Sequence, residues 1–239
     1  MQLLSAEWCN PYYVENHKHI ELIREMMSYH CLCPTCCPFY LNMATGELSQ
    51  AGVNSALHWS RSFEWPWALL NGELDKDIVC LDAAGGHGVF QQALAKRCKR
   101  VVNVDKNEES LRAAATLAMQ LKQTRIEMRV GNLLSIPTED KYFDRVFCLS
   151  VVEHIANWRD VISELIRVLK PGGLLLLTMD VVRSDLSTVQ SDGEFFIGQK
   201  EAEEICARFG GIMPDWKGVM ANRIVNGLVI SVLAIKVRK

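Results

Sequence analysis

The chain lacks any apolar stretch approaching the ~20 residues that a membrane-spanning helix requires. Its longest apolar runs, Leu174–Met179 and Leu228–Ile235, are far shorter, so no membrane partner is expected. An export signal would carry its apolar core near the amino terminus, where Glu7 and Asn10 stand instead; this points to a cytoplasmic protein. Excess charge is missing too: 26 Lys and Arg stand against 28 Asp and Glu, a net charge of −2. Affinity for nucleic acid draws on counterion release by clustered cations, so no nucleic-acid partner is expected. Internal repeats and low-complexity tracts are absent. Hydrophobic residues at 49% and charged residues at 23% exclude a disordered or fibrous chain.

Nine cysteines is an odd count, and Cys80, Cys98, Cys148 and Cys206 are scattered through apolar periodic segments. Buried free thiols in a reducing compartment fit that distribution better than a disulfide framework does.

What is present is a core-forming chain of 239 residues, read as one elaborated domain. Its composition shifts near position 77. Before that point His, Cys, Trp and Pro cluster; after it short apolar runs alternate with amphipathic segments. The chain is therefore divided into a cap or lid, residues 1–77, and a main domain, residues 78–239.

In the main domain Ile78–Asp82 reads as a buried strand entering a tight turn. A helix over Val89–Cys98, a strand over Arg100–Asp105 and a helix over Glu108–Gln123 follow, the last capped by Asn107. Ile126–Val130 and Asp144–Ser150 read as the third and fourth strands. Trp158, Val161, Ile162, Leu165, Ile166 and Leu169 form one helical stripe, ended by Pro171-Gly172-Gly173. Leu174–Met179 is the fifth strand, Glu201–Phe209 a helix, and the tail holds strands near Trp216–Met220 and Leu228–Val237. Such alternation predicts an α/β fold, a doubly wound and mostly parallel sheet with helices on both faces. Ligands bind such sheets beyond the carboxyl ends of the central strands. That rim would hold the Asp82–Gly88 turn, Asp105, Asn132 and Ser150–His154.

The turn reads Leu81-Asp82-Ala83-Ala84-Gly85-Gly86-His87-Gly88. Glycines let a backbone approach a ligand with no Cβ between, but several nucleotide chemistries share such turns. A second acid sharpens the reading. Asp105 ends the next strand 17 positions after Gly88, where it can accept from both hydroxyls of a ribose. A pyrophosphate cofactor such as NAD favours a helix amino terminus without a carboxylate beside it. S-adenosylmethionine (SAM) has no phosphate and carries an ammonium and a sulfonium, so Asp82 suits it. The Gly85-Gly86-x-Gly88 spacing is also too compressed for G-x-G-x-x-G.

Five segments between Ile78 and Asp180 carry a resemblance: LDAAGGHG, VVNVD, GNLLSIP, FDRVFCLSVVEHI and ELIRVLKPGGLLLLT. Together they resemble the class I SAM-dependent methyltransferases, within them the small-molecule group, over a little under half the chain. The resemblance implies a Rossmann-like, seven-stranded sheet with an N-terminal helical cap. It further implies that Asp82, Ala83, Gly85, Gly86 and Gly88 wrap the methionine end of SAM. Asp105, with Lys106 beside it, would hold the ribose; Asn132 and Leu133 would contact the adenine, and Ser150 the methionine portion. Two positions depart from the pattern. Ala84 replaces the first glycine, and Asn132 replaces a common Asp whose acceptor role its amide oxygen can take.

Methyl transfer from a sulfonium is an in-line displacement that demands alignment and exclusion of water. An O or N acceptor also calls for a general base, typically worth roughly 10²–10⁴-fold. His154 is the first candidate, weighed against a purely structural Glu153-His154 pair. Asp180 and Arg183, just past the fifth strand, are alternatives for orienting an amine or carboxylate. His87, inside the turn, reads as shaping the backbone.

Residues 1–77 are expected to determine the substrate. Ile20–Tyr29 reads as an amphipathic helix. His58–Trp67 is dense in aromatics and looks like the R-x-x-E-[Y/W]-P-W element that precedes the cofactor turn in some bacterial methyltransferases. Arg61 could reach the SAM carboxylate, while Trp59 and Trp65 read first as packing residues. Cys31, Cys33, Cys36 and Cys37 include one C-x-x-C step, with His17, His19 and His30 nearby. Incidental thiols come first for this cluster, a structural zinc second and a thiol trap for a soft metalloid substrate third. The spacing does not match that of a radical-SAM cluster.

The combined expectation is an enzyme methylating O, N or C of a small molecule with SAM, acting as a monomer or homodimer. Its rivals are a nucleotide-dependent oxidoreductase and a non-catalytic, metal-stabilised binding module on a methyltransferase fold.

Overall fold

A computed structural model describes residues 1–9, 17–30, 60–183, 197–215, 223–225 and 228–239. Nine strands among them form one mixed sheet: β1 (Gln2–Trp8), β2 (Val79–Ala83), β3 (Arg100–Asp105), β4 (Ile126–Val130), β5 (Phe143–Leu149), β6 (Leu169–Arg183), β7 (Ile197–Gly198), β8 (Arg223–Val225) and β9 (Leu228–Arg238). The helices are α1 (His17–His30), α2 (Arg61–Asn71), α3 (Val89–Ala95), α4 (Glu108–Gln120), α5 (Trp158–Val168) and α6 (Gln199–Arg208).

The main path of the sheet has seven strands in the order β1-β9-β6-β5-β2-β3-β4. From β6 to β4 every pairing is parallel, as the strand–helix alternation predicts. β9 runs antiparallel to both β6 and β1. The order reverses between β5 and β2, so the crevice beside their carboxyl ends is where such a sheet takes a ligand.

Each face of the sheet buries its own core. On one face α5 presents Trp158, Val161, Ile162, Leu165 and Val168, all at most 1% exposed, to Leu175, Leu177 and Val146. On the other, Phe63 and Trp67 of α2 and Phe90 of α3 pack with Phe147, Leu174 and Leu176. Each fully buried large side chain contributes about 1.5–3 kcal/mol of hydrophobic stabilisation. Asn107 caps α4 as expected, its Oδ1 accepting from the backbone N–H groups of Glu109 at 2.9 Å and Ser110 at 3.1 Å. Cys80, Cys98, Cys148 and Cys206 are buried free thiols, as the sequence indicates.

Two elements differ from expectation. Gln2–Trp8, for which the sequence pattern suggests no strand, lies along β9 and closes one edge of the sheet. Glu7 on this strand accepts from the Trp67 indole, which ties the edge to α2. The fifth parallel strand is also longer than Leu174–Met179. It starts at Leu169, and a register shift against β5 absorbs Pro171-Gly172-Gly173 as an irregularity within the strand. The strand expected near Trp216–Met220 lies outside the described residues, as do Trp59 and the Cys31–Cys37 cluster.

Candidate active site

Beyond the carboxyl ends of β2, β3 and β5 lies a cleft of about 590 Å³, a volume typical of small-molecule sites. Ala84, Asp105, Asn132, Leu133, Ser150 and His154 share its wall with Lys106. These residues come from four separate segments, and the topology alone brings them together.

The glycine turn is tied to the strand-end acid. Asp105 Oδ2 accepts from the Gly86 N–H at 3.0 Å, and Oδ1 accepts from the Asn107 N–H at 2.8 Å. Each carboxylate oxygen keeps acceptor capacity beyond these bonds. Gly86 has φ +57, and a Cβ there would meet nothing within 4 Å, so the turn offers bare backbone to open space. Gly85 is required for a different reason: a Cβ would lie 2.2 Å from Asp82 Oδ2. Ala84 adopts φ 56 and Ser150 φ 50, left-handed conformations that cost a non-glycine residue about 1 kcal/mol or more. Both strained residues line the cleft.

Asp82 lies behind this wall. It is 3% exposed, and burial pushes its carboxyl up to about 7 against the pull of Gln91 and Arg61, with Asp105 adding to the rise. Its Oδ2 has no hydrogen-bond partner among the described residues. Ala83 and Gly88 are buried with it, while Gly85 and Gly86 are half-buried. A cation arriving beside Asp82 would draw its carboxyl back down.

His154 is exposed at the cleft, in a short 3-10 turn over Val152–His154. Glu153 points elsewhere. It is fully buried, and Oε1 accepts from the Asp180 N–H at 3.1 Å, joining the turn to β6. Burial drives its carboxyl well above the usual carboxylate range, reinforced by the charges of Asp180 and Glu64. Asp180 therefore neighbours Glu153 without sharing the cleft wall. Asn132 Oδ1 accepts from the Leu134 N–H at 3.0 Å, shaping the loop after β4. The side chain of Arg183 lies outside the described residues.

One residue escaped the sequence reading. Glu64 on α2 is fully buried and gathers three donors from three elements. Arg61 Nη1 donates to Oε2 at 2.8 Å, and the hydroxyls of Ser150 and Thr178 both donate to Oε1. Arg61 Nη1 also donates to the Leu149 carbonyl at 3.0 Å. The available signal was an acid at i+3 from Arg61 in an otherwise aromatic segment, Phe63-Glu64-Trp65-Pro66-Trp67. Among the described residues no group of three or more His, Cys, Asp or Glu side chains is arranged to hold a metal.

Comparison with known proteins agrees with this geometry. Residues 81–177 match the family model described as a methyltransferase domain. A probable SAM-dependent methyltransferase from Mycolicibacterium smegmatis is 31% identical over 136 residues, covering 56% of this chain and 50% of that protein. A ubiquinone biosynthesis O-methyltransferase from Leptothrix cholodnii is 32% identical over 108 residues, 45% of this chain and 46% of that protein. The chain thus spans about half the length of these relatives. In fold it is similar to the geranyl diphosphate C-methyltransferase of Streptomyces coelicolor, with a TM-score of 0.60 at 18% identity over 74% of this chain and 77% of that one. Residues 81–177, which carry a glycine turn bonded to a strand-end acid on a parallel, doubly wound sheet, are thus similar to the methyltransferase domain of SAM-dependent methyltransferases.

Proposed function

We propose that this chain transfers a methyl group from SAM to an O, N or C atom of a small-molecule acceptor. The observation that carries the reading is the Gly86–Asp105 bond, which joins bare backbone and ribose-binding acid in one cleft. The donor set fits SAM: open space at Gly86, a strand-end carboxylate with acceptors to spare, and an under-neutralised buried acid at Asp82. None of these features calls for a phosphate.

When bound, SAM supplies an electrophilic methyl carbon on a positively charged sulfur. The remaining work falls to the chain. Asp105, with Lys106 beside it, takes the ribose hydroxyls. Asn132 and Leu133 take the adenine edge, and Asn132 Oδ1 still has a lone pair to accept with. Asp82, the Ala83–Gly88 backbone, Arg61 and Ser150 take the methionine end, where Asp82 faces the ammonium. His154, exposed on the cleft wall, removes a proton from an O or N acceptor as the new bond forms. Glu153 and Asp180 hold the turn that carries His154. Residues 1–77, which precede the family match at Leu81, are assigned the choice of acceptor and the exclusion of water.

Thermal unfolding with S-adenosylhomocysteine (SAH) and with NAD tests the reading. A ligand at a hundred times its Kd stabilises the folded state by about 2.7 kcal/mol. A rise in Tm with SAH and none with NAD is expected. The reverse result would make the chain a nucleotide-dependent oxidoreductase, and no response to SAH would leave it a non-catalytic module. Transfer of labelled methyl to a panel of small hydroxyl, amine and carbon acids then identifies the acceptor atom.

A further inference from the structure

We propose that Glu64 is a positioning residue for the methionine end of the cofactor, acting through Arg61 and Ser150. The inference rests on the SAM-binding reading above. It starts from an expensive arrangement: a carboxylate with no exposed surface, on a helix outside the family match, bonded to Ser150 at the end of β5, which lines the cleft, and to Thr178 inside the neighbouring strand β6. A buried carboxylate is tolerated where donors surround it, and here Arg61, Ser150 and Thr178 do so.

Each donor is placed by the bond it makes. Ser150 leaves β5 with φ 50, a conformation that its own residue type disfavours. Three contacts hold it there. Its N–H donates to the Thr178 carbonyl at 3.0 Å and to Thr178 Oγ1 at 3.1 Å, and its hydroxyl donates to Glu64. Thr178 Oγ1 thereby accepts from Ser150 and donates to Glu64, closing a three-residue ring. Because Ser150 lines the cleft, its backbone and β-carbon are set by a residue the ligand never touches.

Arg61 is held in a similar way. Its Nη1 is committed to Glu64 and to the Leu149 carbonyl, and among the described residues the Nε and Nη2 edge is left for a ligand carboxylate. The bond to the Leu149 carbonyl sets the guanidinium next to Ser150, and its charge also acts on the Asp82 carboxyl, drawing it down. Glu64 thus fixes a cation beside the strained serine that lines the cleft. A ligand with an amino-acid moiety should feel its loss; a nucleoside lacking that moiety should not.

The test compares SAH with 5′-methylthioadenosine, which keeps the adenosine and sulfur but lacks the amino-acid portion. Calorimetric Kd values are measured for the wild type, Glu64→Gln, Thr178→Val and Thr178→Ser in the full chain. Loss of charge-assisted bonds predicts SAH weakened about tenfold or more by Glu64→Gln and several-fold by Thr178→Val. Methylthioadenosine should stay within about threefold of wild type by the same arithmetic. Thr178→Ser, which keeps the hydroxyl, should restore SAH affinity. Equal weakening of both ligands, or unchanged SAH affinity in Glu64→Gln and Thr178→Val, overturns the proposal. If Glu64→Gln fails to fold, the Thr178 pair decides alone. Failure of the wild type to bind SAH at all is a different result, and sinks the cofactor reading instead.

Discussion

Asp105 accepts the Gly86 N–H at 3.0 Å across a gap of 19 positions, and through that bond a strand end and a turn become one surface. The acid has two duties: it shapes the turn, and it keeps acceptors for a ligand. Asp105→Ala should therefore weaken SAH binding by tenfold or more, since a hydrogen bond to a charged group contributes about 1.5–3 kcal/mol. Unfolding with and without SAH checks this: the ligand-induced rise in Tm should largely vanish. Unchanged SAH affinity would remove Asp105 from the site.

Asp82 should make cofactor affinity depend on pH. Its carboxyl is raised by burial from 3.8 to about 7, so the folded chain holds a proton there that the unfolded chain has lost. Stability at this group accordingly falls as pH rises through that window and is lowest above it. Asp82→Asn removes the effect, and near pH 8 it should unfold some 3–10 °C above wild type, the gap closing towards pH 4. The same change should abolish the tightening of SAH expected of the wild type as Asp82 ionises near neutrality. A variant both less stable at pH 8 and unaltered in its pH profile would contradict this assignment.

Glu153 offers a contrast within the same rim. Burial first, then the charges of Asp180 and Glu64, raise its carboxyl well above 4.5. It too lowers stability as pH climbs past the ordinary carboxylate range. Glu153→Gln keeps an oxygen for the Asp180 N–H, so its Tm should match wild type at mildly acidic pH and exceed it in alkaline buffer. Glu153→Ala empties a buried site and strands that N–H, a loss of about 2–4 kcal/mol. A pH scan of unfolding distinguishes the two. Equal damage from both variants would mean that the charge itself is needed.

Ala84 stands at φ 56 where the family pattern has a glycine, with its N–H donating to the Val104 carbonyl at 2.7 Å. Ala84→Gly relieves the left-handed strain at the cost of a more flexible unfolded chain. The net gain should be about 0.5–1 kcal/mol, a rise in Tm of roughly 1–4 °C by differential scanning. A fall in Tm would mean that the alanine methyl packs usefully.

Much of this architecture could be read along the chain because its causes are local. The α5 stripe repeats with the helical period, Asn107 precedes its helix as a cap must, and acids stand at the end of β3 and next to the end of β2 where apolar runs stop. The parallel sheet and the position of its rim follow from that alternation by chain handedness. Local pattern also placed Asp105, Asn132, Ser150 and His154 on one side of the sheet, and the cleft gathers all four.

Other features depend on partners far away in sequence. Gln2–Trp8 has no strong strand signature and becomes one by pairing with Leu233–Arg238. Glu153 and His154 are adjacent in the chain, yet the 3-10 turn buries one and exposes the other. Glu64 looks like an ordinary helical acid until Ser150 and Thr178 meet it from 86 and 114 positions away. The chain's own periodicity determined the layers and the rim, because backbone hydrogen bonding and apolar spacing act over a few residues. Tertiary packing decided which acids lose water and which donors reach them, because desolvation and hydrogen-bond geometry depend on neighbours that linear order does not bring together.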